Sequence, residues 1–285
     1  MKSIAIFLLC AGVLLDGCTS TTIAPSPKTQ AQTSSQPQSA RAEKNSLTVI
    51  HAFVALCDNV HQGIVPVSAT LGNGDDAQRN LYWGAAFGVK TFFTKSKDWQ
   101  VVECAPGPDD GLYVVERCIF KRRDAPAFLV ADAYRGSEIK RATQSFLQAA
   151  AGYPGEVISV SVGGEPYSFH SKGSANLVAY TGHDGLMDFQ LTAPPKKQDN
   201  DERAAIILAC ASKSYFTDPL RKTGAKPLLW TTNLMAPEAY ILAAALDGWL
   251  KHETDEQIRV RAAKAYNQYQ NCGQRSANNL FATGW

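Results

Sequence analysis

The sequence has few charged residues, and the positive and negative charges nearly cancel. It contains 28 Lys and Arg against 26 Asp and Glu, which gives a formal net charge of +2. The densest basic cluster, Lys121-Arg122-Arg123, is short and is typical of a solvated turn. Because nucleic-acid binding depends on an extended basic surface that neutralises phosphates, no nucleic-acid partner is expected.

Several signatures of common enzyme classes are also missing. There is no Gly-x-Ser-x-Gly pattern of the kind that carries the nucleophile of serine hydrolases. Val162-Gly-Gly-Glu165 follows a predicted strand but opens no helix, so a phosphate-binding loop is not expected. His and Cys do not occur at the short spacings of a zinc site. The sequence therefore predicts neither a metal site nor a cofactor.

No apolar run is long enough to be a comfortable membrane span. The run Ile4–Leu15 follows Met1-Lys2 and ends in Leu15-Asp16-Gly17-Cys18. This order is typical of a bacterial lipoprotein signal peptide. We therefore expect a signal peptide at residues 1–17 and a lipid on Cys18 that anchors the chain to the membrane. The alternative is an ordinary secretory signal that happens to contain Cys18.

The residues after Cys18 predict a location and a tether. Thr19 is not acidic, and by resemblance to other lipoproteins this implies the outer membrane of the bacterial cell envelope. Residues 18–46 are dominated by Ser, Thr, Pro, Gln and Ala, which bury too little surface to offset the entropy of ordering. They are predicted to be a disordered tether. Residues 47–285 are predicted to form one α/β domain.

The cysteines fit an oxidising compartment. The chain has 7 Cys, and removing Cys10 with the leader and Cys18 as the anchor leaves an odd number, so at least one thiol stays unpaired. Cys104 and Cys118 flank a turn rich in Pro and Gly and are a plausible local pair. Cys210 is the preferred free thiol, and the sequence leaves the remaining pairing, which involves Cys57 and Cys272, open.

Strand-like and helix-like segments alternate along the chain, which favours a mainly parallel sheet with helices on both faces. Hydrophobic runs predict core strands at Leu47–Leu56, Pro126–Tyr134, Asn176–Gly182, Ala204–Ala209 and Pro227–Thr232. Further strands are expected at Trp99–Glu103, Leu112–Phe120 and Val157–Val162. Helices are expected at about Asp76–Thr91, Ser137–Ala151, Pro237–Leu250 and Thr254–Gln270, the last with a capping box.

Two of the predicted core strands end beside residues that are able to catalyse a reaction. His183 follows the strand at Asn176–Gly182, and Cys210 follows the strand at Ala204–Ala209. The carboxyl ends of neighbouring parallel strands meet at one edge, which is where open α/β sheets bind ligands. An imidazole and a thiol at this edge are the minimum for nucleophilic catalysis by cysteine.

The segments Gly182-His183-Asp184-Gly185 and Ala209-Cys210-Ala211-Ser212 resemble the catalytic motifs of the caspase/legumain/gingipain group of cysteine peptidases. In that group the catalytic His follows one core strand and the catalytic Cys follows the next. The resemblance covers roughly Leu47 to Trp249 and implies a caspase/hemoglobinase-like α/β fold. It also implies a His183/Cys210 dyad that hydrolyses amide bonds in a peptide or protein substrate.

The resemblance assigns roles to the surrounding residues. Cys210 is expected to be the nucleophile and His183 the residue that moves its proton. Main-chain N–H groups of Cys210 and of the turn that contains Gly182 and Gly185 are expected to stabilise the oxyanion. Asp184 either orients His183 or faces solvent. The residues expected to line the substrate pocket, in which an acidic residue would favour a basic side chain, are Asp58, Asn59, Ser212 and Asn233.

Three alternatives stay open. The chain could be a catalytically silent binding or scaffold lipoprotein of the cell envelope with the same fold. It could also be an acyl- or amide-processing enzyme that uses the same dyad on a non-protein substrate such as a cell-wall peptide. Finally, Cys57 with His51 or His61 is a rival pair for nucleophilic catalysis.

Overall fold

The computed structural model of the chain describes residues 47–108 and 110–285. The predicted signal peptide, the lipidated Cys18 and the tether lie outside these residues. In the described part, none of the helices combines the length and the apolar character needed to cross a membrane.

Within residues 47–108 and 110–285, ten strands form most of the framework. Eight of them make one sheet and two make a separate hairpin. The strands are β1 (Thr48–Ala55), β2 (Trp99–Ala105), β3 (Val114–Arg122), β4 (Ala127–Tyr134), β5 (Pro154–Val162), β6 (Glu165–Lys172), β7 (Leu177–Thr181), β8 (Ala204–Leu208), β9 (Lys226–Thr231) and β10 (Phe281–Ala282).

In the same described part of the chain, six α-helices lie between the strands. They are α1 (Val89–Thr94), α2 (Ile139–Ala150), α3 (Ser212–Thr223), α4 (Ala239–Leu250), α5 (Asp255–Gln270) and α6 (Gln274–Leu280). The predicted capping box starts α5: Thr254 accepts a hydrogen bond from the main-chain N–H of Gln257, and the Gln257 side chain accepts one from Thr254. These two bonds satisfy N–H groups that the helix itself leaves without partners.

The order of strands in the large sheet is β10-β9-β8-β7-β1-β4-β3-β2. Strands β4, β1, β7, β8 and β9 pair in parallel, whereas β2, β3 and β10 add antiparallel edges. The predicted α/β class with a mainly parallel sheet is therefore confirmed, and the arrangement is compatible with a caspase-like α/β fold. Strand order reverses between β1 and β7, which is the position where such sheets bind ligands.

Side chains on the two faces of the sheet belong to two separate cores. In β1, Ile50 and Val54 pack with residues of α1, α4, α5 and α6, whereas Val49 and Phe53 pack with residues of α2 and α3. This division follows from the two-residue period of a strand. Because both faces are covered by helices, the parallel strands are apolar almost throughout, as the sequence indicated.

One predicted helix was wrong, and several elements were missed. The helix expected at about Asp76–Thr91 is instead a series of turns that ends in the short α1. The side chain of Asn80 stabilises these turns, because it accepts a hydrogen bond from the main-chain N–H of Cys57 and donates to the carbonyls of Cys57 and Asn73. Asn favours such local bonds over a helix. Strands β6 and β10 and helices α3 and α6 were not predicted.

Cys104 of β2 and Cys118 of β3, which are paired residues in the two strands, form a disulfide. The plausible local pair named from the sequence is therefore present. Cys57, Cys210 and Cys272 are free thiols: Cys57 is buried, Cys210 is half-buried and Cys272 is exposed.

A buried ionic cluster joins the small hairpin to the large sheet. His51 of β1 accepts a hydrogen bond at Nδ1 from the main-chain N–H of Lys172, so its Nε2–H donates to Asp132 of β4 at 2.9 Å. Arg117 of β3 binds both oxygens of Asp132, at 2.6 and 2.8 Å, and also binds Glu156 of β5. The cluster fixes where the hairpin lies on the sheet.

Candidate functional site

A cavity of about 300 Å³ lies at the carboxyl edge of the parallel sheet. We call it the thiol cavity. Its walls come from the loops that follow β1, β7, β8 and β9, and Tyr82 also lines it. The lining residues are Gly63, Ile64, Val65, Val67, Tyr82, Gly182, His183, Met187, Cys210, Leu234, Met235 and Pro237. The structure thus brings Cys210, His183 and Gly182 to one cavity.

Cys210 lies in a sharp turn between a strand and a helix. Strand β8 ends at Leu208 and α3 begins at Ser212. Between them, Ala211 has a left-handed backbone with φ of +47° and ψ of +31°. A left-handed conformation is strained for a residue with a Cβ, and such strain is concentrated at functional sites. The turn leaves Cys210 half-buried at the wall of the thiol cavity.

The thiol of Cys210 interacts with the loop after β9. Its Sγ accepts a hydrogen bond from the main-chain N–H of Met235 at 3.4 Å and lies 3.6 Å from the carbonyl of Met235. Burial raises the pKa of Cys210, the Met235 N–H lowers it, and the Asp184 carboxylate raises it further. Within the described residues, no hydrogen bond joins Sγ to the His183 ring. The resting state is therefore a neutral thiol at neutral pH.

His183 is held by a carboxylate that the sequence did not identify. Its Nε2 lies 2.8 Å from Oδ2 of Asp188, and only 7% of the residue is exposed. A ring that donates Nε2–H to this carboxylate carries its lone pair on Nδ1. No described residue makes a hydrogen bond to Nδ1, so that nitrogen is available as a base.

Asp188 comes into position through a short turn. The 3-10 helix Gly185–Met187 folds the chain back, so that Asp188 lies beside His183, five residues earlier. The same oxygen of Asp188 accepts a hydrogen bond from the main-chain N–H of Gly63 at 3.0 Å. One carboxylate thus fixes both the imidazole and the loop that forms a wall of the thiol cavity.

Asp184 has neither of the roles expected for it. It does not bind His183 and it does not face solvent, because it is fully buried. Its Oδ1 accepts a hydrogen bond from the main-chain N–H of Leu186 at 3.0 Å and so caps the 3-10 turn. Its Oδ2 has no partner among the described residues. Burial raises the pKa of Asp184 to about 7, the Leu186 N–H lowers it and the Asp188 charge raises it.

We expect Asp184→Asn to stabilise the fold above pH 7. The unfolded carboxyl ionises near its ordinary value of 3.8, whereas the folded one keeps its proton to about pH 7. The contribution of Asp184 to stability is therefore complete below pH 4 and is lost as pH rises through 7. The free energy of unfolding of the neutral variant should exceed that of wild type by more than about 1 kcal/mol at pH 8 and by little at pH 4. Urea unfolding at both pH values measures this, and an equal difference at both would contradict it.

The two turn glycines serve local structure. Gly182 has φ of +147°, and a Cβ there would lie 2.8 Å from the carbonyl oxygen of Ala55 in β1. Its N–H donates to the carbonyl of Leu208, so it does not point to an oxyanion. Gly185 begins the 3-10 turn, where a Cβ would meet the Phe189 ring at 2.7 Å. The main-chain N–H groups that remain as candidates to stabilise an oxyanion are that of Cys210 and those of the turn after His183.

Asp58 and Asn59 support a cavity wall and do not line the cavity. Asp58 is buried, and its carboxylate accepts hydrogen bonds from the ring and main chain of His61. Asn59 makes two hydrogen bonds to the main chain of Val67, one as donor at 2.8 Å and one as acceptor at 3.0 Å. These bonds close the loop between residues 59 and 67. Asp58 therefore does not make the thiol cavity acidic.

The other two residues expected to line the pocket also lie elsewhere. Ser212 is fully buried at the start of α3, and its hydroxyl donates to the carbonyl of Ile207 at 2.9 Å and contacts Thr231. Asn233 is exposed and accepts a hydrogen bond from the N–H of Leu234. It lines a second cavity, of about 430 Å³, together with Cys272.

The rival pair around Cys57 does not assemble. Burial raises the pKa of the Cys57 thiol to about 11, and a hydrogen bond from Tyr82 lowers it only in part. The ring of His51 is engaged by Asp132 and by a main-chain N–H, and the ring of His61 binds Asp58. Cys57 is thus a core residue of the fold.

The chain was compared with protein-family models, with curated proteins and with solved structures. None of the three comparisons finds a match. The residues of the thiol cavity and their contacts are therefore the basis for inferring what the chain does.

Proposed function

We propose that the chain is a cysteine peptidase of caspase-like fold, in which Cys210 is the nucleophile and His183 moves the proton. The observation that carries this proposal is that both side chains line one cavity at the carboxyl edge of neighbouring parallel strands. The strained turn at Ala211 and the His183–Asp188 pair support it, because both are features of built nucleophile sites.

The raised thiol pKa favours one order of events. As Sγ of Cys210 attacks the carbonyl carbon, its proton passes to Nδ1 of His183, and the carbonyl oxygen becomes an oxyanion. His183 then gives the proton to the leaving amine, the C–N bond breaks and an acyl-enzyme forms. A water molecule, deprotonated by His183, attacks the thioester and releases the acid and the thiol. Asp188 stabilises the imidazolium at each step through Nε2–H.

The setting proposed for this peptidase is the bacterial cell envelope. A lipid on Cys18 would anchor the chain, with the outer membrane as the proposed site, and residues 18–46 would let the domain reach a peptide or protein substrate. Metabolic labelling of the full-length chain with a fatty-acid analogue in a bacterial host tests the anchor. Loss of the label in Cys18→Ala supports the proposal, and retention contradicts it.

The test of the dyad is alkylation of Cys210 by a small electrophile. The full-length chain carries the exposed free Cys272, so Cys272→Ser is the background in which the rate is measured by mass spectrometry. We expect His183→Ala to slow alkylation of Cys210 at pH 7 by at least about tenfold, because general-base assistance is lost. Cys210→Ser should abolish the modification.

His61→Ala is the matched control, because His61 is an imidazole that bonds to an Asp outside the thiol cavity. It should leave the alkylation rate unchanged. Equal rates in the background and in His183→Ala would contradict a functional dyad. An acyl-enzyme on Cys210, detected with a peptide thioester and absent in His183→Ala, would support the second half of the mechanism.

A second candidate function is a catalytically silent binding or scaffold module. The observation that favours it is the neutral thiol, which has a raised pKa and makes no hydrogen bond to His183 among the described residues. Such a module would bind a peptide in the thiol cavity without forming an acyl-enzyme. Peptide binding with no turnover, and alkylation that is indifferent to His183, would identify it.

A further inference from the structure

The thiol cavity is apolar apart from the dyad and Tyr82. No Asp, Glu, Lys or Arg is among its described lining residues, and the rest of the lining is aliphatic, Met, Pro or Gly. Its volume of about 300 Å³ is at the small end for ligand pockets and suits one large side chain. Asp58, which would have made the pocket acidic, is turned away and bound to His61.

The mouth of the cavity is apolar as well. Val65 is 87% exposed, Leu234 is 69% exposed and Met187 is 40% exposed. They come from the loops after β1, β9 and β7, respectively, and all three line the same cavity. Soluble proteins expose single apolar side chains routinely, but a cluster around a concave site marks a binding surface.

The walls of the cavity are fixed before any ligand binds. The two hydrogen bonds between Asn59 and Val67 close one wall, and the bond from Gly63 to Asp188 ties that wall to the His183 turn. The part of the lining at Met235 is held by its contacts with Cys210. A preformed apolar cavity binds a side chain with little loss of entropy in the protein.

We propose that the thiol cavity binds an uncharged, apolar side chain of the size of Leu, Met or Phe in a peptide substrate, next to the amide bond attacked by Cys210. This inference rests on the proposed function. Burial of an aliphatic or aromatic side chain in such a site is favourable. An Asp, Arg or Lys side chain there would lose its hydration without gaining a partner, so peptides that carry one are rejected.

The experiment measures binding separately from catalysis. A set of acetylated tetrapeptide amides that differ at one position, with Leu, Phe, Asn, Asp or Arg, is titrated against the full-length Cys210→Ala chain by calorimetry. We expect the Leu and Phe peptides to bind roughly tenfold to a hundredfold more tightly than the Asp and Arg peptides. Val65→Asp should weaken binding of the Leu peptide several-fold.

Val60→Asp is the matched control, because Val60 is 81% exposed in the same loop but does not line the cavity. The Val60→Asp variant should bind the Leu peptide as tightly as the Cys210→Ala chain does. Equal or tighter binding of the charged peptides, no binding of any peptide, or equal effects of Val65→Asp and Val60→Asp would overturn the inference. A preference for Leu without cleavage by the wild-type chain would instead support the pocket and reject the peptidase. Cleavage that prefers charged peptides would reject the pocket and keep the peptidase.

Discussion

Asp132→Ala is expected to lower the free energy of unfolding by about 3–5 kcal/mol, the usual effect of removing one partner from a buried ion pair. Asp132 has a side chain that is 1% exposed and binds both Arg117 and His51. Without it, the guanidinium of Arg117 keeps only Glu156, and the Nε2–H of His51 loses its acceptor. An unpaired buried donor costs more than the original bond contributed.

The electrostatics of the cluster support a large effect. Burial alone would raise the pKa of Asp132, but the hydrogen bonds from His51 and Arg117 and the charge of Arg117 hold that pKa well below its usual range. Asp132 is therefore ionised at neutral pH. Burial is also the largest influence on His51 and lowers its pKa. The ring is thus neutral, and it accepts a hydrogen bond from the Lys172 N–H at Nδ1 and donates one to Asp132 from Nε2.

The matched control is Glu156→Ala, which removes the other carboxylate partner of Arg117. The Glu156 side chain is 37% exposed, so water screens its charge and can take over its hydrogen bond to Arg117 when the carboxylate is removed. Its removal should cost no more than about 1 kcal/mol. Urea unfolding of the full-length variants, followed by circular dichroism, measures both. Similar losses for the two variants would mean that the cluster is not buried as the structure has it.

The parallel core could be predicted because its strands are buried on both faces. In β4, all residues from Ala127 to Tyr134 are buried, and β7 is buried from Leu177 to Thr181. Such segments leave uninterrupted apolar runs in a sequence. The antiparallel β6 was missed for the opposite reason. Polar residues, among them His170 and Ser171, alternate in it with aromatic ones, so it leaves no apolar run in the sequence.

Helix α3 could not be found from its residues alone. It contains Pro219 and polar residues over most of its surface, and it buries only a narrow stripe with Phe216 and Leu220. Its formation depends on packing against α2 and β9. The region before α1 shows the reverse case, because an apolar pattern suited a helix but Asn80 binds main-chain groups and stabilises turns instead.

The candidate site was predictable where it follows from strand order. His183 and Cys210 each come after a buried strand, and parallel pairing of β7 with β8 places both at one edge of the sheet. Asp188 was not predictable in this way. Its position depends on the 3-10 turn that starts at Gly185, and nothing in the sequence distinguishes Asp188 from Asp184 as the partner of the imidazole. In the structure Asp184 is fully buried and caps the turn, whereas the partly exposed Asp188 binds the imidazole of His183.

If the chain is a peptidase, Asp188→Asn should lower kcat for a Leu-containing peptide by roughly 10²–10⁴-fold, as loss of the orienting carboxylate does in serine peptidases. The amide can still accept the hydrogen bond from Gly63 through its Oδ1, so the cavity wall stays in place and KM should change little. What is lost is the negative charge that stabilises the imidazolium of His183 while it carries the proton. Asp188 is thus a positioning residue.

Two further variants separate this role from a structural one. Asp188→Ala also releases Gly63, so it should raise KM in addition to lowering kcat. Asp184→Asn removes the other carboxylate of the same turn without touching His183, and it should keep kcat or raise it slightly, because the Asp184 charge opposes the thiolate. Steady-state kinetics of the three full-length variants give both constants. Equal losses of kcat in Asp188→Asn and Asp184→Asn would mean that the turn matters only for folding, since a specific action of Asp188 on His183 requires the two carboxylates to differ.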